Sequence, residues 1–101
     1  MLYTLAMNDV HLSSKLKIAK DILVRELEGE AVLLNIQTGV YFGLDKTATA
    51  TWQLMQKQKD LQGVLDSLLK DYEIDKKTCQ DDLLKFASNL QKNAIVEIYE
   101  D

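Results

Sequence analysis

Leu27-Glu28-Gly29-Glu30-Ala31-Val32-Leu33-Leu34-Asn35-Ile36-Gln37-Thr38-Gly39-Val40-Tyr41-Phe42-Gly43-Leu44-Asp45 is the stretch that decides the fold. Residues 31–36 are nearly all apolar, which predicts a central strand covered on both faces. The β-rich segment before it, Ile22–Leu27, ends at Glu28-Gly29-Glu30. After it, Gln37-Thr38-Gly39 reads as a hairpin turn, with Gly39 supplying the positive φ that short loops want. Val40–Leu44 follows as a short aromatic strand. In a simple antiparallel meander that strand lies at the edge. Tyr41 and Phe42 point to opposite sheet faces, so at most one of them is core, and the sequence does not choose between them.

Downstream of Asp45 the hydrophobic period changes to that of a helix. Asp45 caps a first helix running to about Lys57, with Trp52 and Met55 on its inner side. Asp60 caps a second to Tyr72, whose apolar set Leu61, Val64, Leu65, Leu68, Leu69 and Tyr72 keeps helical spacing throughout. Asp75 caps a third to about Asn93, striped by Cys79, Leu83, Phe86, Ala87 and Leu90, with Ile74 placed for a hydrophobic staple onto Cys79. Ile95-Val96-Glu97-Ile98-Tyr99 closes the chain as a short strand. The first fifteen or so residues carry no sustained period, so residues 1–16 read as a flexible N-terminal arm and 17–101 as the domain. Three antiparallel strands followed by three helices make an α+β fold.

The chain has 101 residues, enough for one domain. Hydrophobic residues make up 47% and charged residues 28%, a globular rather than a disordered composition. No apolar run approaches the ~18–20 residues of a membrane span. The N-terminus lacks the basic start and long apolar stretch of a signal peptide. A soluble, cytoplasmic protein without membrane association is expected.

Little in the chain is equipped for chemistry. The single cysteine, Cys79, excludes an internal disulfide and a cysteine-cluster metal site, and on the third helix's apolar stripe it reads as core filling. The single histidine, His11, falls in the arm. Asp81-Asp82 and the series Glu26, Glu28, Glu30 have no flanking residues that would bury a carboxyl and raise its pKa, so they read as solvated. Phosphate loops, zinc-protease motifs and C-x-x-C are absent. The expectation is a protein that is not an enzyme and uses no metal or cofactor. Three helices beside a small sheet can build a winged helix, but the third helix sets Lys76, Lys77, Lys85 and Lys92 against Asp75, Asp81 and Asp82 on a chain of net charge -4. That balance argues against nucleic acid as a partner. What remains is the edge strand, which lacks the charge or proline that usually blunts an edge. Either the arm or the C-terminal segment covers it, or a partner peptide adds a strand there.

The stretch quoted above resembles the PqqD-like family of precursor-peptide recognition elements. The resemblance continues through Trp52, residues 61–69, Tyr72-Glu73-Ile74-Asp75, and Asp82-Leu83 with Phe86 and Leu90, and spans roughly residues 17–98. Within the family it is most similar to the stand-alone members of lasso-peptide biosynthesis. The resemblance implies a winged helix-turn-helix-like domain. Such a domain binds the leader of a ribosomally made precursor along the third strand, in a groove walled by the third helix, and presents it to modifying enzymes. For lasso-type members these are a leader-cleaving protease and a cyclase. A peptide chaperone for another pathway, including pyrroloquinoline quinone or radical-SAM biosynthesis, is the alternative, as is a non-catalytic winged-helix interaction module. The residues this implies for peptide contact are Val40, Tyr41 and Phe42 on the strand with Asp82, Lys85, Phe86 and Asn89 on the helix. An unoccupied edge also invites homodimers. Two positions depart from the family pattern: Ala48-Thr49 stands where Gly-Ala is common, and Ala94 replaces a glycine, so Asn93 is expected to take the left-handed helix-ending conformation.

Overall fold

The computed structural model describes residues 10–100. Its elements in chain order are β1 (Lys15–Ile18), β2 (Ile22–Leu27), β3 (Glu30–Asn35), β4 (Val40–Leu44), α1 (Lys46–Lys57), α2 (Leu61–Asp71), α3 (Lys76–Lys92) and β5 (Val96–Tyr99). β2, β3 and β4 form the antiparallel meander expected of them, and β1 pairs with β5 in a separate antiparallel ladder. This is an α+β, winged-helix-like architecture.

Each helix starts where an aspartate was expected to cap it. Asp45, Asp60 and Asp75 accept from the backbone N–H groups of Ala48, Gly63 and Thr78 at 2.8, 3.0 and 3.0 Å. Each thereby satisfies one orphan donor of a first helical turn. The inner faces of the three helices, Trp52 and Met55, Leu61 to Leu68, and Cys79 to Leu90, meet Ala31 and Leu33 of β3 and Ile95, Val96 and Ile98 in one core.

Coverage of β3 departs from expectation. Ala31, Leu33 and Asn35 are buried, while Val32 between them is 41% exposed. The helices lie against one face of the sheet only, so the strand alternates instead of being covered on both sides. Register puts Phe42 opposite Leu33 and Tyr41 opposite Leu34. Phe42 is therefore the half-buried member that packs on the core, and Tyr41, 72% exposed, stands on the open face.

The N-terminal boundary also moves. Residues 10–16, drawn above as part of a flexible arm, pack against the body: Ser14 is fully buried and Val10, Leu12 and Leu16 contact the core. The carbonyls of Leu12 and Ser14 accept from the N–H groups of Gln62 and Leu61 at the start of α2, and residues 15–18 supply a strand that sequence reading missed. Residues 1–9 of the arm lie outside the described residues. β5 takes β1 as its partner, so among the described residues no strand pairs with the outer edge of β4.

Two corners hold the ends of this frame. After α3, Asn93 has φ -94 and Ala94 φ +59. The left-handed residue is thus Ala94, contrary to expectation, because Asn93 remains tied to the helix by bonds from its backbone N–H and Nδ2 to the Asn89 carbonyl. A left-handed alanine costs about 1–2 kcal/mol that glycine avoids. Ala94 is exposed and its methyl fills no core space. Ala94→Gly should therefore raise the urea midpoint, by about 1 kcal/mol in unfolding free energy after glycine's greater unfolded-chain entropy is allowed for. An unchanged or lower midpoint would contradict this account of the corner.

At the other corner Glu100 accepts from the hydroxyls of Ser14 and Ser13, at 2.5 and 3.0 Å. Those bonds, with smaller help from His11 and Lys15, lower its carboxyl pKa. A lowered carboxyl stabilises the fold above the ordinary glutamate range and ceases to do so as pH falls through the lowered value. Acid titration of stability should accordingly be shallower in Glu100→Gln than in the parent chain. Superimposable acid limbs would remove this latch from consideration.

Candidate functional site

The hydrogen-bonding parity of β4 follows from a turn two strands away. Glu28 and Gly29 have φ +55 and +82, the double positive φ of a two-residue type I′ hairpin loop. Such a loop closes on a hydrogen-bonded pair, here Leu27 and Glu30. Antiparallel ladders alternate, so the even residues of β3 bond to β2 and the odd ones to β4. The Ile36 N–H to Asp21 carbonyl bond at 3.1 Å, just past the ladder's end, has this parity. Phe42, opposite Leu33, then bonds inward, and the N–H and C=O groups of Tyr41 and Gly43 face the open side. At Ala31 and Leu44 the ladder is completed through a side chain. The buried Thr49 hydroxyl accepts from Ala31 N–H at 3.0 Å and donates to the Leu44 carbonyl at 3.3 Å. The strand's N-terminal end is fixed by Asn35, whose Oδ1 accepts from Gln37 and Thr38 N–H and whose Nδ2 donates to the Ala94 carbonyl. Gly39, at φ +75, completes the turn by donating to the Asn35 carbonyl.

Beyond the C-terminal end of β4 a pocket of about 230 Å³ opens between α1, the α2–α3 connection and α3. Ala48, Leu68, Ile74, Cys79, Leu83 and Phe86 give it apolar walls, and Asp45, Thr47 and Asp82 bring polar groups to it. Ile74 and Cys79, the expected staple pair, share this wall. Burial raises the Cys79 thiol pKa, and the nearby Asp82 carboxylate raises it further. The thiol is therefore protonated at neutral pH and a poor nucleophile. Among the described residues there is no cluster of three or more His, Cys, Asp or Glu side chains able to hold a metal ion, and no helix long and apolar enough to cross a membrane.

Of the seven residues named from the sequence, Asp82 and Phe86 come together in this pocket. Val40 and Phe42 lie on the helix side of β4, and Tyr41 presents its backbone, not its side chain, to the open edge. Lys85 and Asn89 are exposed on α3 and stand outside the pocket lining. Asp81 is engaged elsewhere, in an exposed pair with Lys77 at 2.9 Å. Sequence reading missed Gly43, the second open backbone position, and the pocket residues contributed by α1 and by the α2–α3 connection. Recognising Glu28-Gly29 as a two-residue turn would have found Gly43.

A small winged-helix-like α+β domain, with a strand edge that no other described strand pairs running toward an apolar pocket, is the class that fold and site define. The family model described as Coenzyme PQQ synthesis protein D (PqqD) matches residues 30–96, and the chain belongs to that family. It is similar to the solved structure of TbiB1 in complex with the TbiA(beta) leader peptide, at 33% identity and TM-score 0.77, covering 84% of this chain and 99% of that one. It is also similar in fold to lasso peptide synthetase B1 complexed with the leader peptide, at 22% identity and TM-score 0.74, covering 81% and 96%. No curated protein sequence matches it significantly.

Proposed function

We propose that this protein binds the leader of a ribosomally synthesised precursor peptide as an added strand on β4 and presents it to separate maturation enzymes. The observation that carries the reading is the open edge of β4, with two N–H and two C=O groups directed outward and an apolar pocket at its end. The similarity to TbiB1, a leader-peptide complex, supports the same reading. Four backbone hydrogen bonds contribute roughly 2–6 kcal/mol net. Association costs an estimated 4–15 kcal/mol, so the edge alone does not hold a peptide. One large apolar leader side chain in the pocket adds about 1.5–3 kcal/mol, and contacts along Val40, Phe42, Lys85, Phe86 and Asn89 supply the rest. The domain itself catalyses no step. In the finer, lasso-type form of the proposal the recipients are a leader-cleaving protease and a cyclase.

Titration with leader peptides of ribosomal precursors, the TbiA(beta) leader seen with TbiB1 among them, tests the reading, with two local reporters. Tyr41 and Gly43 amide resonances should shift on saturation, and alkylation of Cys79 should slow as the pocket fills. Absence of leader binding would overturn the function. Binding that leaves both reporters unchanged would overturn the site.

A further inference from the structure

Among the described strands, β4 alone presents an outer edge without a charged residue. β1 carries Lys15 and Lys17, β2 carries Arg25 and Glu26, and β5 carries Glu97, charges of the kind that discourage edge-to-edge pairing. Val40–Leu44 has none, and no described strand pairs with its outer side.

That side is complementary to itself. The N–H and C=O groups of Tyr41 and Gly43 face outward, so a second β4 laid antiparallel can form hydrogen-bonded pairs only at these two residues. Setting Tyr41 opposite Tyr41 brings Gly43 against Gly39, whose N–H is already given to the Asn35 carbonyl in the turn. Setting Gly43 opposite Gly43 brings Tyr41 against Asp45, the cap of α1, beyond the strand. A two-fold axis at Phe42 is the register that engages every outward group. Tyr41 then pairs with Gly43 of the second copy, and Gly43 with its Tyr41, through four hydrogen bonds.

Side chains fit the same register. The Tyr41 ring, standing on the open face, comes to lie across from Gly43, where a Cβ would have no neighbour within 4 Å. An aromatic ring over a cross-strand glycine covers backbone that the glycine leaves bare. On the helix side Phe42 meets Phe42 in a non-hydrogen-bonded pair, the closer of the two antiparallel geometries, and Val40 meets Leu44. No like charges are set opposite one another, since Asp45 falls opposite Gly39.

We propose that a second copy of this chain occupies the β4 edge when no peptide is bound, paired antiparallel about Phe42 into one six-stranded sheet. Five residues a side bury much less than the ~800 Å² per partner of a standard interface, so the dimer is weak and reversible. A leader that adds to the same edge must displace the second copy. That consequence rests on the leader-binding reading above, and the pairing itself does not.

Sedimentation equilibrium of the full chain, from micromolar to millimolar concentration, should show a reversible monomer–dimer equilibrium. A mixture of isotope-labelled and unlabelled protein should give magnetisation transfer between the Tyr41 ring of one copy and the Gly43 α-protons of the other, a signature of this register. Tyr41→Pro lacks one outward N–H in each copy and should raise the dimer dissociation constant at least tenfold. The TbiA(beta) leader, or whichever leader binds in the titration above, should convert the dimer into monomers carrying one peptide each. A chain that stays monomeric throughout would overturn the proposal. So would a dimer without the Tyr41–Gly43 contact, or one that keeps its second copy when saturated with leader. A dimer with that contact in a chain that binds no leader would uphold the pairing and count only against the leader reading. Should Tyr41→Pro fail to fold, the contact between copies of the parent chain decides.

Discussion

Tyr41→Pro should give a folded protein that has lost its peptide, whereas Phe42→Pro, one residue on, should give a protein that barely folds. Proline lacks an N–H and carries a ring where the hydrogen was. At Tyr41 the lost N–H is one of the outward pair, so the β3–β4 ladder keeps its bonds while an incoming strand loses a donor and meets the ring. Leader affinity should fall by well over tenfold, more than the ~1.4 kcal/mol that a single decade represents. At Phe42 the lost N–H faces Leu33, whose carbonyl is left buried without a donor, at about 1–3 kcal/mol, and the packing of Phe42 on the core is disturbed as well. Thermal melts and calorimetry on the two variants separate the effects. Equal destabilisation of both, or normal leader affinity in a folded Tyr41→Pro, would be incompatible with the parity derived from the Glu28-Gly29 turn.

Thr49→Val should be the most damaging change of a single polar atom in the fold. The hydroxyl of Thr49 stands between Ala31 N–H and the Leu44 carbonyl, and the side chain is 2% exposed. Valine keeps the shape and strands both backbone groups, each at about 1–3 kcal/mol, so a loss of roughly 2–4 kcal/mol is expected by urea denaturation. The same change at Thr51 is the control. That hydroxyl bonds only to the Thr47 carbonyl one helical turn back, so its loss should matter far less. Similar midpoints for the two variants would mean that the hydroxyl bridge at Ala31 carries no stability.

The difference between those two threonines was not legible in the sequence, where both sit on one helix in similar surroundings. What was legible had local causes. The three aspartate caps, the helical stripes and the Gln37-Thr38-Gly39 turn each depend on neighbours within a few residues. β1 escaped because Lys15-Leu16-Lys17-Ile18 is a four-residue alternation whose partner, Val96–Tyr99, lies at the other end of the chain. Double coverage of β3 was expected from its apolar run, but nothing in a run of apolar letters says how many layers stand over it. Asn93 was expected in the left-handed region on residue type alone, and its bonds to Asn89 moved that conformation to Ala94. The pocket next to β4 was illegible for a similar reason. Its walls come from α1, α3 and the α2–α3 connection, and only the packing of those segments brings Ala48, Ile74 and Cys79 together.

The β1–β5 ladder sets Lys15 opposite Tyr99, so the first strand begins where the last one ends. A polypeptide that enters and leaves through a single point can be spliced into a loop of a larger protein as a cassette, because the host's backbone scarcely has to open to admit it. The strand that carries the open edge belongs to the other sheet and would be untouched by the splice. The same body is thus suited to working as a free adaptor or as an inserted module, and converting one into the other would require new linkers only, with no redesign of the groove.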